Sequence, residues 1–448
     1  MSESSPIFAV VLAAGKGTRM KSNRAKVLHT LCGIPMVNYV IEATRPLLPE
    51  QTFVVVGHQA DLVEAVLPAD ATALLQEEQL GTGDAVRVAL SAIPEDQEGV
   101  LLVVNGDGPL ISDRTLGELV ERHRSAGVGA TVLVAEPDDP SGLGRVVEDA
   151  GVVRIVEEKD ATEAERAVSL CNGGLMAIRG DLALALLDRI ENRNAQGEFY
   201  LTDIVAIARQ LGHRTAFLVV SEQEVHGIND RAQLAAAERM MQDRLRQAAM
   251  MSGVTLVAPE TVFLSHDTRL GRDVVVEPHV VFGPGVAVEE GAVVHSFSHL
   301  EGARIASGAS VGPFARLRPG ASIGPGAKVG NFVEIKNTEL GAGAKVSHLT
   351  YLGDASVGAE ANIGAGTVTC NYDGFNKYRT QIGEGAFIGS NSSLVAPISI
   401  GRGAYVGSGS VITENVPEDG LGLGRSRQAV KEGWAVTFRQ KAKAAKGK

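Results

Sequence analysis

The sequence predicts two architectures in one chain: an α/β, doubly wound domain with a parallel sheet over residues 1–229, and a parallel β-helix over 253–437. Three observations carry that reading. Short β-branched runs alternate with helix-like stretches in the first half. Aliphatic residues recur every six positions in the second half. A stretch free of Gly and Pro, 230–252, separates the two.

Bulk properties agree. A chain of 448 residues is too long for one hydrophobic core, so two or three domains are expected. Apolar residues make up 44% and charged residues 21%, as in ordinary folded proteins, but aromatics reach only 4% against 52 glycines. That balance suits tight turns and small side chains. The net charge of -11 argues against nonspecific nucleic-acid binding, so a phosphate-bearing ligand needs a local cationic pocket. The first apolar run breaks at Gly15 and has no basic segment before it, so it reads as a buried strand rather than a signal peptide. No apolar run approaches the ~20 residues of a membrane helix. Cys32, Cys171 and Cys370 are widely spaced and odd in number. They are expected to be reduced thiols of a cytoplasmic protein with no membrane partner.

In the first half, FAVVLAAG, TFVVVGH, GVLLVVNGD and GATVLVAE have the short, continuous apolar character of strands buried on both faces. LHTLCGIPMVNYVIEAT and DRTLGELVERHRSAG between them read as helices. Alternation of strand and helix implies right-handed crossovers and a Rossmann-like parallel sheet. The stretch 230–252 is rich in Ala, Arg, Gln, Leu and Met and is expected to be a long helical linker arm, about 30 Å at ~1.5 Å per residue.

From 253 onward the period is six. Ile305, Val311, Leu317, Ile323, Val329 and Ile335 keep it without a miss. Leu340, Val346 and Leu352 repeat it, then Val357 and Ile363, then Ile382, Ile388, Leu394, Ile400, Val406 and Ile412. Upstream, Val275, Val281 and Val293 share the phase of Ile305. Six fits neither a helix nor a lone strand. It fits a triangular coil with one inward aliphatic per side, three hexads per turn, stacked at the ~4.8 Å strand spacing. The basic run KAKAAKGK lies in 438–448, expected to be a disordered tail.

The chemistry of the first half begins at Leu12-Ala-Ala-Gly-Lys-Gly-Thr-Arg-Met20, directly after the first strand. A glycine turn there is expected to leave backbone N–H groups pointing outward at a helix start, with Lys16 and Arg19 adding charge. Taken alone, Gly-Lys-Gly is equally well a plain strand-to-helix turn. Asp107, in Asn105-Gly106-Asp107, follows a buried strand at the carboxyl edge of the sheet, where such folds bind ligands. Alone it reads as a cap or as a ligand to a metal. Asn229, before the arm, reads alone as its cap.

The nonamer with Lys26 resembles the signature of sugar-nucleotide pyrophosphorylases. Three more segments follow in the family's order: Leu75-Gln76-Glu-Glu-Gln-Leu-Gly81-Thr82-Gly83, Asn105-Gly106-Asp107 and Asn194-Ala-Gln-Gly-Glu-Phe-Tyr-Leu-Thr-Asp203. The resemblance implies that Leu12, Ala13, Gly15, Lys26, Gln76, Gly81, Thr82, Asn105 and Asn229 contact the nucleotide, with Gln76 and Gly81-Thr82 at the uracil. It implies Gly144, Glu157, Asn172 and Thr202 at the sugar, Asp107 and Asn229 as Mg²⁺ ligands, and Lys16, Arg19 and Lys26 as charge-neutralising catalytic groups. The reaction implied is attack of a sugar 1-phosphate oxygen on the α-phosphorus of UTP, which needs alignment and charge neutralisation rather than a base. Asn105 stands where a tyrosine is common, Ala25 replaces a usual proline, and Gly173 follows Asn172 in place of threonine.

In the second half the hexads fail at Val368-Thr-Cys-Asn-Tyr-Asp-Gly-Phe-Asn-Lys-Tyr-Arg379, which must loop out of the coil. Loops on a rigid scaffold are where function concentrates. With Lys345-Val-Ser-His348-Leu-Thr-Tyr351-Leu-Gly-Asp354, Arg316-Leu-Arg318 and Phe332-Val-Glu334-Ile-Lys336, this segment resembles the acetyltransferase half of the bifunctional uridylyltransferase/acetyltransferases. The resemblance spans nearly the whole chain and implies a left-handed coil, contrary to the usual crossover hand. It also implies acetyl-CoA and UTP as co-substrates and a homotrimer with sites between subunits.

Amine acetylation needs a base, and His348 suits that role, with Glu334 orienting its ring. By the same resemblance Arg318 and Lys336 hold the sugar phosphate. Tyr351 and Asn362 line the sugar pocket, joined by Asn371 and Tyr372, which also count among the acetyl-CoA contacts Ala365, Ser390, Ser408, Arg425 and Lys431. Ser408 replaces a common alanine. Two rival readings remain: a single-activity sugar nucleotidyltransferase with a regulatory coil, and a non-catalytic assembly subunit that keeps both folds.

Overall fold

A computed structural model describes residues 5–94, 98–149 and 152–446. It contains two compact units, 1–244 and 245–448.

Unit 1 is built on a nine-stranded sheet. Its strands are β1 (Ile7–Ala13), β2 (Gln51–Val56), β3 (Ala71–Leu75), β4 (Val100–Asn105), β5 (Ala130–Ala135), β6 (Arg145–Asp149), β7 (Val152–Val156), β8 (Cys171–Arg179) and β9 (Thr215–Val219). The main order is β9-β5-β8-β4-β1-β2-β3. Alternate residues of each strand enter opposite cores. Phe8, Val10, Leu101 and Val103 pack on one face, and Ile7, Val11, Val100, Leu102 and Val104 on the other. Both faces are therefore covered, as the continuous apolar runs predict.

The sheet is not wholly parallel, in contrast to the expected pattern. β8 runs antiparallel to both β4 and β5. Between β5 and β8 the chain forms the β6–β7 hairpin and a short helix, Glu163–Arg166, rather than a crossover helix. It re-enters at the edge it left, with Cys171 opposite Ala135. The carboxyl ends of β1 to β5 and the start of β8 consequently share one edge, and every motif of the first half is delivered there.

Local chemistry sets the helices. Asp113–Ala126 starts at Ser112, whose hydroxyl accepts the N–H of Thr115, and stops at left-handed Gly127. The stretch 28–44, expected to be one helix, is helical only over Met36–Thr44. Thr30–Leu31 and Ile34–Pro35 pair as a tight hairpin, because Cys32 and Gly33 turn the chain with positive φ.

The long helix runs Arg231–Met251, and the boundary between units falls within it rather than at its start. Its first turns belong to unit 1. Glu238 accepts the Cys32 N–H at 2.9 Å, Gln242 donates to the Cys32 sulfur at 3.3 Å, and Arg244 donates to the Leu110 carbonyl at 2.7 Å. An N-terminal fragment ending at 250 should therefore melt several degrees above one ending at 229. Equal melting temperatures would show that these contacts contribute nothing.

Unit 2 is a parallel β-helix. Val275 pairs with Val293, eighteen residues on, and His299 with Arg316, seventeen on, so a coil is three hexads or one residue less. Across the inserted loop Asn362 pairs with Phe387, twenty-five residues on, and the register is kept. Ile305, Val311, Leu317, Ile323, Val329 and Ile335 are each at most 1% exposed, as the period requires. Upstream the inward phase is different. Val276, Phe282, Val288, Val294 and Leu300 point to the core, while Val275, Val281 and Val293 are half-buried. A seventeen-residue coil joining Val288 to Ile305 shifts the series by one, which a uniform count of six cannot show.

One corner carries a stack of His279, Phe297, Phe314 and Phe332 at centroid spacings of 4.9, 4.9 and 5.0 Å. All four have positive φ. The segment expected to be a disordered tail is instead part of an exposed helix, Trp434–Lys446, with Trp434 stacked on Phe438. Alanine and lysine both favour helix, and this outweighs low complexity. Residues 447–448 lie outside the described residues. Among the described residues no helix is long and apolar enough to cross a membrane.

Candidate active sites

In unit 1 a cleft of about 350 Å³ opens at the carboxyl edge of the sheet. Leu12, Ala13, Gly15, Lys26, Gln76, Gly81, Thr82, Asn105 and Asp107 all line it. Three strand ends place them: β1 supplies the glycine loop, β3 runs into Gln76, and β4 into Asn105 and Asp107. The glycine loop enters a 3₁₀ turn, Thr18–Met20, rather than the expected α-helix, so the helix N-terminus that does line the cleft is that of Thr82–Leu90. Gly17 takes φ +60, and a Cβ there would lie 2.5 Å from Lys26 Cβ; a side chain would expel Lys26 from its place.

Lys26 is the hub of the cationic side. Its ammonium pairs with Asp107 and donates to Asn229 Oδ1 at 3.1 Å. Arg19 donates to the same Asn229 oxygen at 2.9 Å. Ile228 N–H donates to the Asp107 carbonyl at 2.9 Å, which ties the segment before the long helix to the end of β4. Asp107 and Asn229, far apart in sequence, thus converge. Among the described residues no group of three acidic, His or Cys side chains could hold a metal ion. Two oxygen donors beside a phosphate site do suit a hard cation that keeps most of its water. Lys16 is exposed and makes no hydrogen bond among the described residues.

Gln76 is 3% exposed, and its amide nitrogen donates to Asp84 Oδ2 at 2.7 Å and to the Gly81 carbonyl at 3.2 Å. Its oxygen stays available to accept from a ring N–H. Gln79 also lines the cleft and was not singled out from the sequence.

Gly144, Glu157, Asn172 and Thr202 form a second cluster where the hairpin meets β8. Asn172 N–H donates to the Gly144 carbonyl at 2.8 Å, and Thr202 donates to Glu157 at 3.1 Å. The segment 198–202 ties this cluster to the nucleotide loop, since Leu201 N–H donates to the Thr82 hydroxyl at 3.0 Å. Burial raises the Glu157 carboxyl above the usual range. Burial first, then the charges of Glu157 and Asp160, push Asp203 up to about 6.

The ionised form of Asp203 is therefore disfavoured by folding. The penalty is absent below the carboxyl's ordinary value of 3.8, grows as pH rises through about 6, and is complete above it. Asp203→Asn should stabilise unit 1 by ~1–2 kcal/mol at pH 8, after discounting for partial exposure, and by almost nothing at pH 4. Hydrogen exchange of the Ile204–Gln210 helix at both pH values measures this, and equal protection at pH 8 in both proteins refutes it.

In unit 2, His348 ends the strand Lys345–His348 and is exposed. Its Nδ1 lies 2.6 Å from Asn331 Oδ1, one coil earlier and in register. With the amide oxygen turned to the ring and able only to accept, the neutral imidazole holds its proton on Nδ1 and presents the Nε2 lone pair. Glu334, expected to orient this ring, instead pairs with Arg318 at 2.8 Å. Asn331 was overlooked in the sequence because its partner lies seventeen residues away, one coil on.

The coil geometry turns sequence spacing into columns. Leu349 N–H donates to Asn331 O, Gly366 to His348 O, Asn391 to Ala365 O and Gly409 to Ser390 O. Asn331, His348, Ala365, Ser390 and Ser408 therefore occupy one corner of successive coils. Arg318, Lys336 and Gly353 stack in register in a second column. Tyr351 lies beside Glu334 in register, and Asn362 beside Lys345.

The loop after Cys370 folds back on itself, with Tyr378 N–H donating to Asn371 O at 2.9 Å and Tyr372 bridging Lys377. Asn371 also donates to Asp354. Lys377, unpredicted, sits against Lys336, and its ammonium lowers the Lys336 pKa. Arg425 and Lys431 lie in an exposed stretch, and their side chains form no hydrogen bond or ion pair among the described residues; the Lys431 carbonyl accepts the Trp434 N–H at 3.4 Å.

Comparison with known proteins settles the family. Residues 9–248 match the MobA-like NTP transferase domain, and 379–414 match the six-repeat bacterial transferase hexapeptide family. A "Bifunctional protein GlmU" of Rubrobacter xylanophilus is 56% identical over 96% of this chain and 95% of its own length. Proteins of the same name from Azorhizobium caulinodans (55%, over 100% and 99%) and Zymomonas mobilis (51%, over 99% and 100%) align end to end as well. The chain belongs to the bifunctional GlmU family. Its fold is an α/β nucleotidyltransferase domain joined to a left-handed β-helix of hexapeptide repeats. It is an enzyme with two activities, UDP-N-acetylglucosamine diphosphorylase and glucosamine-1-phosphate N-acetyltransferase, which removes the single-activity and non-catalytic readings. GlmU nucleotidyl transfer calls in general for a divalent metal.

Proposed function

We propose that the cleft of unit 1 binds UTP and N-acetylglucosamine 1-phosphate, and that the His348 corner of unit 2 acetylates glucosamine 1-phosphate. The observation that carries the second assignment is the Asn331–His348 bond, which leaves Nε2 basic. As the sugar amine attacks the thioester carbon, Nε2 takes the amine proton. The tetrahedral adduct then expels coenzyme A thiolate, which is reprotonated. Arg318, Lys336 and Lys377 hold the sugar phosphate, while Tyr351, Asn362, Asn371 and Tyr372 close the pocket. Acetyl-CoA lies along Ala365, Ser390 and Ser408.

In unit 1 a sugar 1-phosphate oxygen attacks the α-phosphorus of UTP in line, and pyrophosphate leaves. The nucleophile is already ionised, so Lys16, Arg19 and Lys26 act by neutralising charge. Gln76 and the Gly81–Thr82 backbone read the uracil edge, with the amide oxygen accepting its ring N–H. Gly144, Glu157, Asn172 and Thr202 hold the sugar. Mg²⁺ bound by Asp107 and Asn229 would spread the negative charge of the phosphates.

The assembly proposed is a homotrimer. The side chains of Arg425 and Lys431 have no hydrogen-bond or ion-pair partner among the described residues, and a neighbouring subunit would complete the acetyl-CoA site with them. The domain limits proposed are 1–229, the arm 230–252, and 253–437. The compartment proposed is the cytoplasm, where both co-substrates are made, with no membrane or nucleic-acid partner. One experiment tests the whole scheme: glucosamine 1-phosphate, acetyl-CoA, UTP and Mg²⁺ are supplied and the products resolved by mass. UDP-N-acetylglucosamine supports it, and unacetylated UDP-glucosamine alone would overturn the order of steps.

A further inference from the structure

Unit 1 contains a second cavity, about 220 Å³, to which no role in either reaction belongs. Its walls are Phe8, Leu90, Ile93, Pro94, Leu101 and Leu184, with Arg87 and Ser91 as its polar lining. Phe8 and Leu101 open β1 and β4, whose far ends, Leu12 and Asn105, line the nucleotide cleft. The cavity and the cleft therefore sit at opposite ends of the same strands.

Arg87 is the unusual member. Its Nη2 donates to the Leu187 carbonyl, yet Nε is buried with no partner, and no carboxylate pairs with it among the described residues. Guanidinium stays charged at all relevant pH values, so an unsatisfied, buried donor on it is costly. A carboxylate is the group that satisfies it, by charge and by planar geometry. The remaining walls accept only apolar surface.

We infer that this cavity is a ligand site for a compact aromatic or branched-aliphatic monocarboxylate, coupled to the nucleotide cleft. The coupling path is short. The Arg87 guanidinium lies 4.8 Å over the Phe199 ring. Phe199 N–H donates to the Leu80 carbonyl, and its own carbonyl accepts the Gly83 N–H, both at 2.8 Å. Phe199 thereby clasps the turn that presents Gly81 and Thr82. Gly81 takes φ +118, and a Cβ there would lie 2.7 Å from the Phe199 backbone, so turn and clasp cannot move separately. The helix Thr82–Leu90 touches both sites, its first turn in the cleft and its last in the cavity. A carboxylate that draws Arg87 off Phe199 loosens the clasp and weakens UTP binding, and UTP weakens the carboxylate by the same factor.

The binding part stands by itself, while the coupling rests on the reading of the cleft. The probe is 1-naphthoate, titrated calorimetrically into the full chain, with 1-naphthamide as its neutral isostere. Naphthoate should bind at least tenfold more tightly than the amide. Leu184→Trp, at a position 40% exposed that tolerates bulk, should abolish binding, and Arg87→Met should erase the preference for the acid. Equal affinity for acid and amide, or undiminished binding to Leu184→Trp, overturns the site. UTP affinity is then measured with and without saturating naphthoate, and a loss of at least threefold is expected. Unchanged UTP affinity overturns the coupling, whereas absence of UTP binding in the untreated protein points to failure of the cleft assignment instead.

Discussion

His348→Ala loses acetyl transfer by a factor on the order of 10²–10⁴, the usual worth of a positioned general base, and keeps uridylyl transfer from pre-acetylated sugar. The selectivity follows from geometry. His348 is exposed on a coil corner and, among the described residues, its ring bonds only to the Asn331 side chain, so truncation leaves no cavity in the core. Asn331→Ala should act through the ring rather than beside it. Without the amide oxygen, Nδ1 and Nε2 compete for the proton, so kcat falls, with KM for acetyl-CoA little changed. A His348→Ala protein that acetylates at the wild-type rate would remove the base assignment altogether.

Asp107→Ala produces the mirror image: uridylyl transfer falls by at least 10³-fold on the scale of lost electrostatic stabilisation, and acetyl transfer persists. Two functions are lost at once. The carboxylate pairs with Lys26, and its removal frees that ammonium toward Asn229. It is also one of the two oxygen donors proposed for Mg²⁺. Pyrophosphate release measured across a Mg²⁺ titration separates these effects. Partial recovery at high Mg²⁺ assigns Asp107 to the metal, and wild-type rates at every concentration would refute the assignment.

The second fold was the more legible of the two. A coil side admits one inward side chain, so Ile305 to Ile335 announce themselves by spacing alone. The upstream phase was hidden because a single residue missing from one corner shifts Val275, Val281 and Val293 outward, and no composition signal marks a short corner. In unit 1 the reversed direction of β8 was equally hidden, since strand direction depends on where the preceding hairpin leaves the chain. At the sites, residues on strand ends were readable from local motifs. Asn331 and Lys377 were not, because each acts across coils on a residue that sequence does not place beside it.

The corner column from Asn331 to Ser408 acts as a ruler. Coils of seventeen, eighteen and twenty-five residues all climb by the same strand spacing, ~4.8 Å, because the length differences are absorbed at corners and in the loop. Distance along the column therefore counts turns, not residues. Four steps separate Asn331 from Ser408, about 19 Å, and no insertion at a corner alters that length. A molecule laid along this edge is measured in whole coils. Deleting one complete turn would shorten its berth by a single graduation, while the three-sided core beneath would close up in phase.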